Sequence, residues 1–143
     1  MTIARLIEGR PTTTIVSCDA LDRVGDVARL LAERRIGAVP VFYDGQIAGI
    51  FSERDVVNQL AQSGPAMLDK TVREVMTAPA ITVDPSTSVL EALALMTRRR
   101  IRHLPVTDRG EMIGFISIGD LVKYRIDRIE SEAEAMRSYI QSA

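Results

Sequence analysis

Two seven-residue stretches carry the side chains best suited to hold a polar ligand. Gly49-Ile50-Phe51-Ser52-Glu53-Arg54-Asp55 and Gly114-Phe115-Ile116-Ser117-Ile118-Gly119-Asp120 each set a glycine and two apolar residues before Ser-x-x-Asp. Ahead of an apolar run, Ser-x-x-Asp is a capping box: the Ser hydroxyl and the carboxylate satisfy backbone N–H groups at a helix start. Local pattern alone favours that reading. The same geometry also suits a nucleotide. A helix start offers unpaired N–H groups and partial positive charge to a phosphate. A Ser hydroxyl can donate to a phosphate oxygen, and a carboxylate can accept from two vicinal ribose hydroxyls. Gly49 and Gly114 would let a neighbour approach the strand ends closely.

Other chemistry is scarce. The chain has one His, His103, and one Cys, Cys18, and neither has an evident nucleophile or base partner in the pattern. No metal-ligand spacing occurs, so a catalytic role is not expected. Lys plus Arg is 18 against 19 for Asp plus Glu, a net charge of −1 that disfavours general nucleic-acid binding. Arg98-Arg99-Arg100 reads as a solvated helix end, where cations are favourable. A lone Cys and the absence of a long apolar run point to a reducing, cytoplasmic setting with no membrane span. The first ten residues do not form a secretory signal.

The elements that hold these stretches come in two copies. Shifting the sequence by 65 residues aligns 15–60 with 80–125 without gaps, and 13 of the 46 pairs are identical. Val24, Val27, Ala28 and Leu31 mark one helix face, and Val89, Ala92, Leu93 and Met96 repeat it. Each helix is followed by a hairpin, Ala38–Phe51 with its turn at Asp44-Gly45, and His103–Ile116 with its turn at Arg109-Gly110. A second helix starts near Ser52 and near Ser117, and short leading strands are expected near Thr14–Ser17 and Ala80–Val83. The fold class is therefore α+β: two β-α-β-β-α repeats packed against each other in pseudo-two-fold fashion, with a long C-terminal helix. The expected boundaries are an N-terminal segment at 1–10, repeats at 11–62 and 80–125, a linker with a short helix at 63–79, and a helical extension at 126–143. Ala61-Gln62-Ser63-Gly64-Pro65 reads as linker and Thr71–Met76 as the short helix. In the extension, Val122, Ile126, Ile129, Ala133, Met136 and Ile140 step by 4, 3, 4, 3 and 4, a heptad-like seam that needs a partner surface.

The repeat, the segments Ile36-Gly37-Ala38-Val39-Pro40-Val41 and Ile101-Arg102-His103-Leu104-Pro105-Val106, and both Gly-x-x-Ser-x-x-Asp junctions together resemble a tandem CBS (cystathionine β-synthase-type) domain pair, in the form of a stand-alone bacterial-type signalling protein. The resemblance covers roughly residues 10–125. It implies an adenosine-containing ligand in the cleft between repeats: AMP, ADP, ATP, NAD(H) or S-adenosylmethionine. It also implies regulation of an unidentified partner protein, two-fold association into a homodimer, and no catalytic activity. Carried over, Asp55 and Asp120 would hold ribose hydroxyls, and Ser52 and Ser117 would touch the first phosphate or ribose. Val39, Pro40, Leu104 and Pro105, with Ile15 and Ala80, would flank the adenine. Arg102 and His103 would meet phosphate, whereas their counterparts Gly37 and Ala38 could not, so the two clefts would differ. Arg54 could reach phosphate or pair on the surface. The competing expectation is a structural dimerisation module with non-functional clefts.

Overall fold

The computed structural model describes residues 1–142. The first repeat contains β1 (Cys18–Asp19), α2 (Val24–Arg34), β2 (Ala38–Tyr43), β3 (Gln46–Ser52) and α3 (Glu53–Ser63), preceded by a short helix α1 (Ile3–Ile7). Between the repeats lie a 3-10 stretch, Gly64–Asp69, and α4 (Val72–Val75). The second repeat contains α5 (Val89–Arg99), β4 (His103–Asp108), β5 (Glu111–Ser117) and α6 (Ile118–Ser142). The hairpins are antiparallel and match position for position: Ala38 pairs Ser52 as His103 pairs Ser117, and both carry a register shift just after Val41 and Val106.

The leading strands are shorter than expected and lie further along the chain. β1 comprises only Cys18 and Asp19, parallel to β2, while Thr12–Thr14 forms a 3-10 turn. In the leading segment of the second repeat, 80–83, Val83 bridges to Val106. The prolines explain this. Val83 N–H donates to the Pro105 carbonyl and Thr107 N–H donates to Val83, at 3.0 and 2.8 Å. The next rung toward Ile81 would need a donor from Pro105, which has none. Pro40 stops the first repeat in the same way.

The expected linker is ordered. α3 continues through Ser63, Gly64 ends it at φ 67°, and Pro65 enters the 3-10 stretch. Met67, Val72 and Val75 from this region are buried with Val24, Leu31, Val39 and Phe51, so residues 64–76 complete the first repeat's core. The N-terminal segment does the reverse. Ile3 and Leu6 of α1 are buried with Val89, Met96, Leu104, Ile116 and Leu121 in the second repeat's core. Ile3 N–H donates to the Thr87 carbonyl at 2.8 Å, and Thr2 bridges Ser88 just as Thr71 bridges Arg23. The stretch ahead of each repeat thus closes the core of the other one. This exchange joins two units too small to bury much apolar surface alone.

Candidate functional site

Each Ser-x-x-Asp junction sits where a hairpin strand runs into a helix, and both form the cap that local pattern implies. Ser52 N–H donates to Asp55 Oδ2 at 2.9 Å, and Asp55 N–H donates to Ser52 Oγ at 3.3 Å. The second junction repeats this, with Ser117 N–H on Asp120 Oδ2 at 2.9 Å and Asp120 N–H on Ser117 Oγ at 3.1 Å. The carboxylates differ in what else they meet. Thr77 Oγ1 donates to Asp55 Oδ1 at 2.9 Å, whereas Asp120 Oδ2 lies 3.5 Å from an Arg10 guanidinium nitrogen.

The aspartates open into separate clefts, each shared between repeats. The first, about 450 Å³, joins Ser52, Arg54 and Asp55 to Ala80, Arg102 and His103 of the other repeat. Thr77 and Arg100 also line it, and Glu53 adds a negative charge. The second, about 300 Å³, joins Gly114, Ser117 and Asp120 to Ile15 of the first repeat, with Arg10 and Phe115 beside them. His103 lines both clefts. Its ring stacks on Phe115 at 5.5 Å between centroids and 15° between planes. Burial lowers the His103 pKa below its ordinary value; Asp120 and Glu53 pull it up, and Arg102 pushes it further down. Arg54 reaches across the first cleft and donates to the Arg100 carbonyl at 2.7 Å, satisfying the exposed end of α5. Of the two expected roles, contact with a phosphate or pairing on the surface, it pairs here with a backbone carbonyl.

Two groups of expected ligand contacts sit differently in the structure from the expected arrangement. Val39 and Leu104 are fully buried in the two cores, Pro40 and Pro105 are buried as well, and none of the four lines either cleft. Side chains alternate along a strand, so Val39 and Leu104 turn into the cores while their neighbours Ala38 and His103 line the clefts. Gly49 and Gly114 do allow close approach, by the chain itself, and Gly114 also lines the second cleft. A Cβ on Gly49 would stand 2.6 Å from the Thr77 carbonyl oxygen, and one on Gly114 would stand 3.2 Å from Ile7 Cδ1. Thr77, Arg100, Arg10 and Phe115 are cleft residues that the pattern did not single out.

Comparison with known proteins settles the family. The family model described as "CBS domain" matches residues 5–62 and again 72–127. The chain belongs to the CBS domain family. Among solved structures, this CBS pair is similar to a signal-transduction protein with CBS domains from Burkholderia ambifaria, at 43% identity and a TM-score of 0.82, covering 89% of this chain and 95% of that one. It is also similar to CBSX2 in complex with AMP, at 26% identity and a TM-score of 0.74, covering 88% of this chain and 96% of that one. A mitochondrial CBS domain-containing protein of Arabidopsis thaliana, CBSX3, is 36% identical over 129 residues. The match takes in 87% of this chain and 63% of the Arabidopsis protein, so this CBS pair spans less than two thirds of that relative. Among the described residues no cluster of His, Cys, Asp or Glu is placed to hold a metal ion, and no helix is long and apolar enough to cross a membrane.

Proposed function

We propose that this CBS pair is a cytoplasmic regulatory module that binds an adenine nucleotide in the Asp55 cleft and signals its occupancy to a partner protein. The observation that carries this reading is convergence. Asp55, a ribose-type acceptor at a helix start, shares one cleft with Arg54, Arg100 and Arg102 and with His103. Arg100, Arg102 and His103 come from the second repeat, and Arg54 and the ribose acceptor from the first, so occupancy would clamp the two repeats together. The Asp120 cleft is smaller, and its carboxylate already faces Arg10. A phosphorylated ligand therefore favours the Asp55 side. AMP heads the ligand choices because the similar CBSX2 structure holds AMP. CBS pairs generally regulate rather than catalyse, and the role proposed here follows suit.

A thermal-shift screen with AMP, ATP, NADH and S-adenosylmethionine tests the reading. A ligand that binds only the folded state adds about 2.7 kcal/mol of stability at 100 times its dissociation constant. AMP or ATP is expected to raise Tm, and native mass spectrometry of the purified protein is expected to show a retained nucleotide. No shift with any of the four would leave the structural dimerisation role instead.

A further inference from the structure

α6 outgrows the body that supports it. Leu121 is buried and Tyr124 packs on the second core, but from Ile126 to Ser142 only Ala133 is half-buried. Those 17 residues would project about 25 Å at 1.5 Å per residue. Helical stability in proteins comes mostly from packing an apolar face. This helix has such a face, and it is uncovered: Val122, Ile126, Ile129, Met136 and Ile140 are 44 to 66% exposed.

Charge decides what covers the face. In heptad terms Ile126, Ala133 and Ile140 occupy a positions, and Val122, Ile129 and Met136 occupy d positions. Lys123, Glu130 and Arg137 are then at e, and Arg125, Glu132 and Tyr139 at g. In a parallel pair each g residue meets the e residue five positions later on the other helix. For two copies of this helix that sets Arg125 against Glu130 and Glu132 against Arg137, each twice by symmetry. An antiparallel pair overlapping along the whole seam would set Glu130 against Glu130, Glu132 against Glu132 and Lys123 against Arg137. Glu132 is already aligned along its own helix by Arg128, at 3.2 Å.

We propose that the exposed seam of α6 pairs in parallel with α6 of a second copy of this chain. The two-fold axis runs along the seam, so both nucleotide-binding bodies lie at the same end of the coil. This goes beyond nucleotide binding and does not depend on it.

The full-length protein carrying Met136→Cys provides the orientation test. In the parallel pair position 136 faces itself across the axis, within disulfide reach. In an antiparallel pair of this seam the two positions are at least about 15 Å apart along the axis. Cys18 is buried and does not compete. Oxidation is expected to give a covalent dimer on a non-reducing gel. Sedimentation of Glu132→Arg is expected to show a dimer dissociation constant raised about tenfold. The double variant Glu132→Arg/Arg137→Glu is expected to recover the dimer, although it leaves Arg128 without its carboxylate. Circular dichroism checks that each variant remains folded. A monomer at every concentration, a dimer that Met136→Cys fails to cross-link, or equal dimerisation of all charge variants would overturn the proposal.

Discussion

A methyl group at position 49 would stand 2.6 Å from the Thr77 carbonyl oxygen and 2.9 Å from the Met76 sulfur. The carbonyl is pinned, because Ile50 N–H donates to it at 2.9 Å and Thr77 N–H donates back to Ile50 at 2.9 Å. Gly49→Ala therefore has to displace backbone beside the Asp55 cleft. A loss of about 1–3 kcal/mol in denaturant unfolding is expected. Gly114→Ala is tight only against the movable side chain of Ile7, at 3.2 and 3.3 Å, with Val106 Cβ in ordinary contact at 3.6 Å, and is expected to cost less; equal losses would contradict the difference between the two approaches. His103 supplies the pH dependence. Burial holds its folded pKa below 6.5. Above that pH both folded and unfolded states carry it neutral. As pH falls through 6.5 the unfolded chain takes up a proton that the folded protein resists, so stability declines on acidification. Unfolding measured from about pH 8 down to pH 5 is expected to show a decline that is reduced in His103→Asn. An identical decline in both proteins would remove the assignment. The Ser-Asp caps were legible from sequence because they depend on four adjacent residues. Thr77 and Arg10 were not. They lie where the copies differ in length: residues 8–15 separate Ile7 from Val16, but only 77–80 separate Met76 from Ile81. A gap-free comparison has no equivalent for either, and so could not show that one carboxylate meets a hydroxyl and the other a guanidinium.

At the scale of elements, amphipathic spacing located α2 and α5, and the Asp44-Gly45 and Arg109-Gly110 turns located both hairpins, because those signals are local. The leading strands were overestimated. β propensity in the leading segments does not depend on whether the neighbouring strand has a donor to offer, and Pro40 and Pro105 remove it. The exchanged segments were the larger omission, since which core a short apolar stretch enters is decided by non-local packing. Ile3 tests that exchange. It is fully buried among second-repeat residues, although it precedes the first repeat in the chain. Ile3→Ala is expected to cost about 2–5 kcal/mol of stability. Hydrogen exchange should then show the loss of protection concentrated in α5, β4 and β5. Exchange that speeds up only within the first repeat would contradict the packing.

For the whole molecule, the consequence of duplication is a pair of similar clefts made unequal by a few residues. Both have a capped aspartate at a helix start, and each draws its opposite wall from the other repeat. Arg54, Arg100 and Arg102 gather at one cleft, while Arg10 reaches the aspartate of the other. A ligand with phosphate and ribose would be read by both repeats at once, which gives a route from occupancy to relative repeat position and from there to a partner. Sequence comparison within the chain anticipated the inequality from Arg102 and His103 against Gly37 and Ala38. It could not show that these two residues face Asp55 across the inter-repeat cleft, because that pairing exists only once the repeats are packed. Calorimetric titration of AMP into the wild-type protein, Asp55→Asn and Asp120→Asn tests the central claim most directly. Saturable binding is expected in the wild type and in Asp120→Asn, with at least about tenfold weaker binding in Asp55→Asn, the loss of about 1.4 kcal/mol. Unchanged affinity in Asp55→Asn, or loss confined to Asp120→Asn, would contradict it.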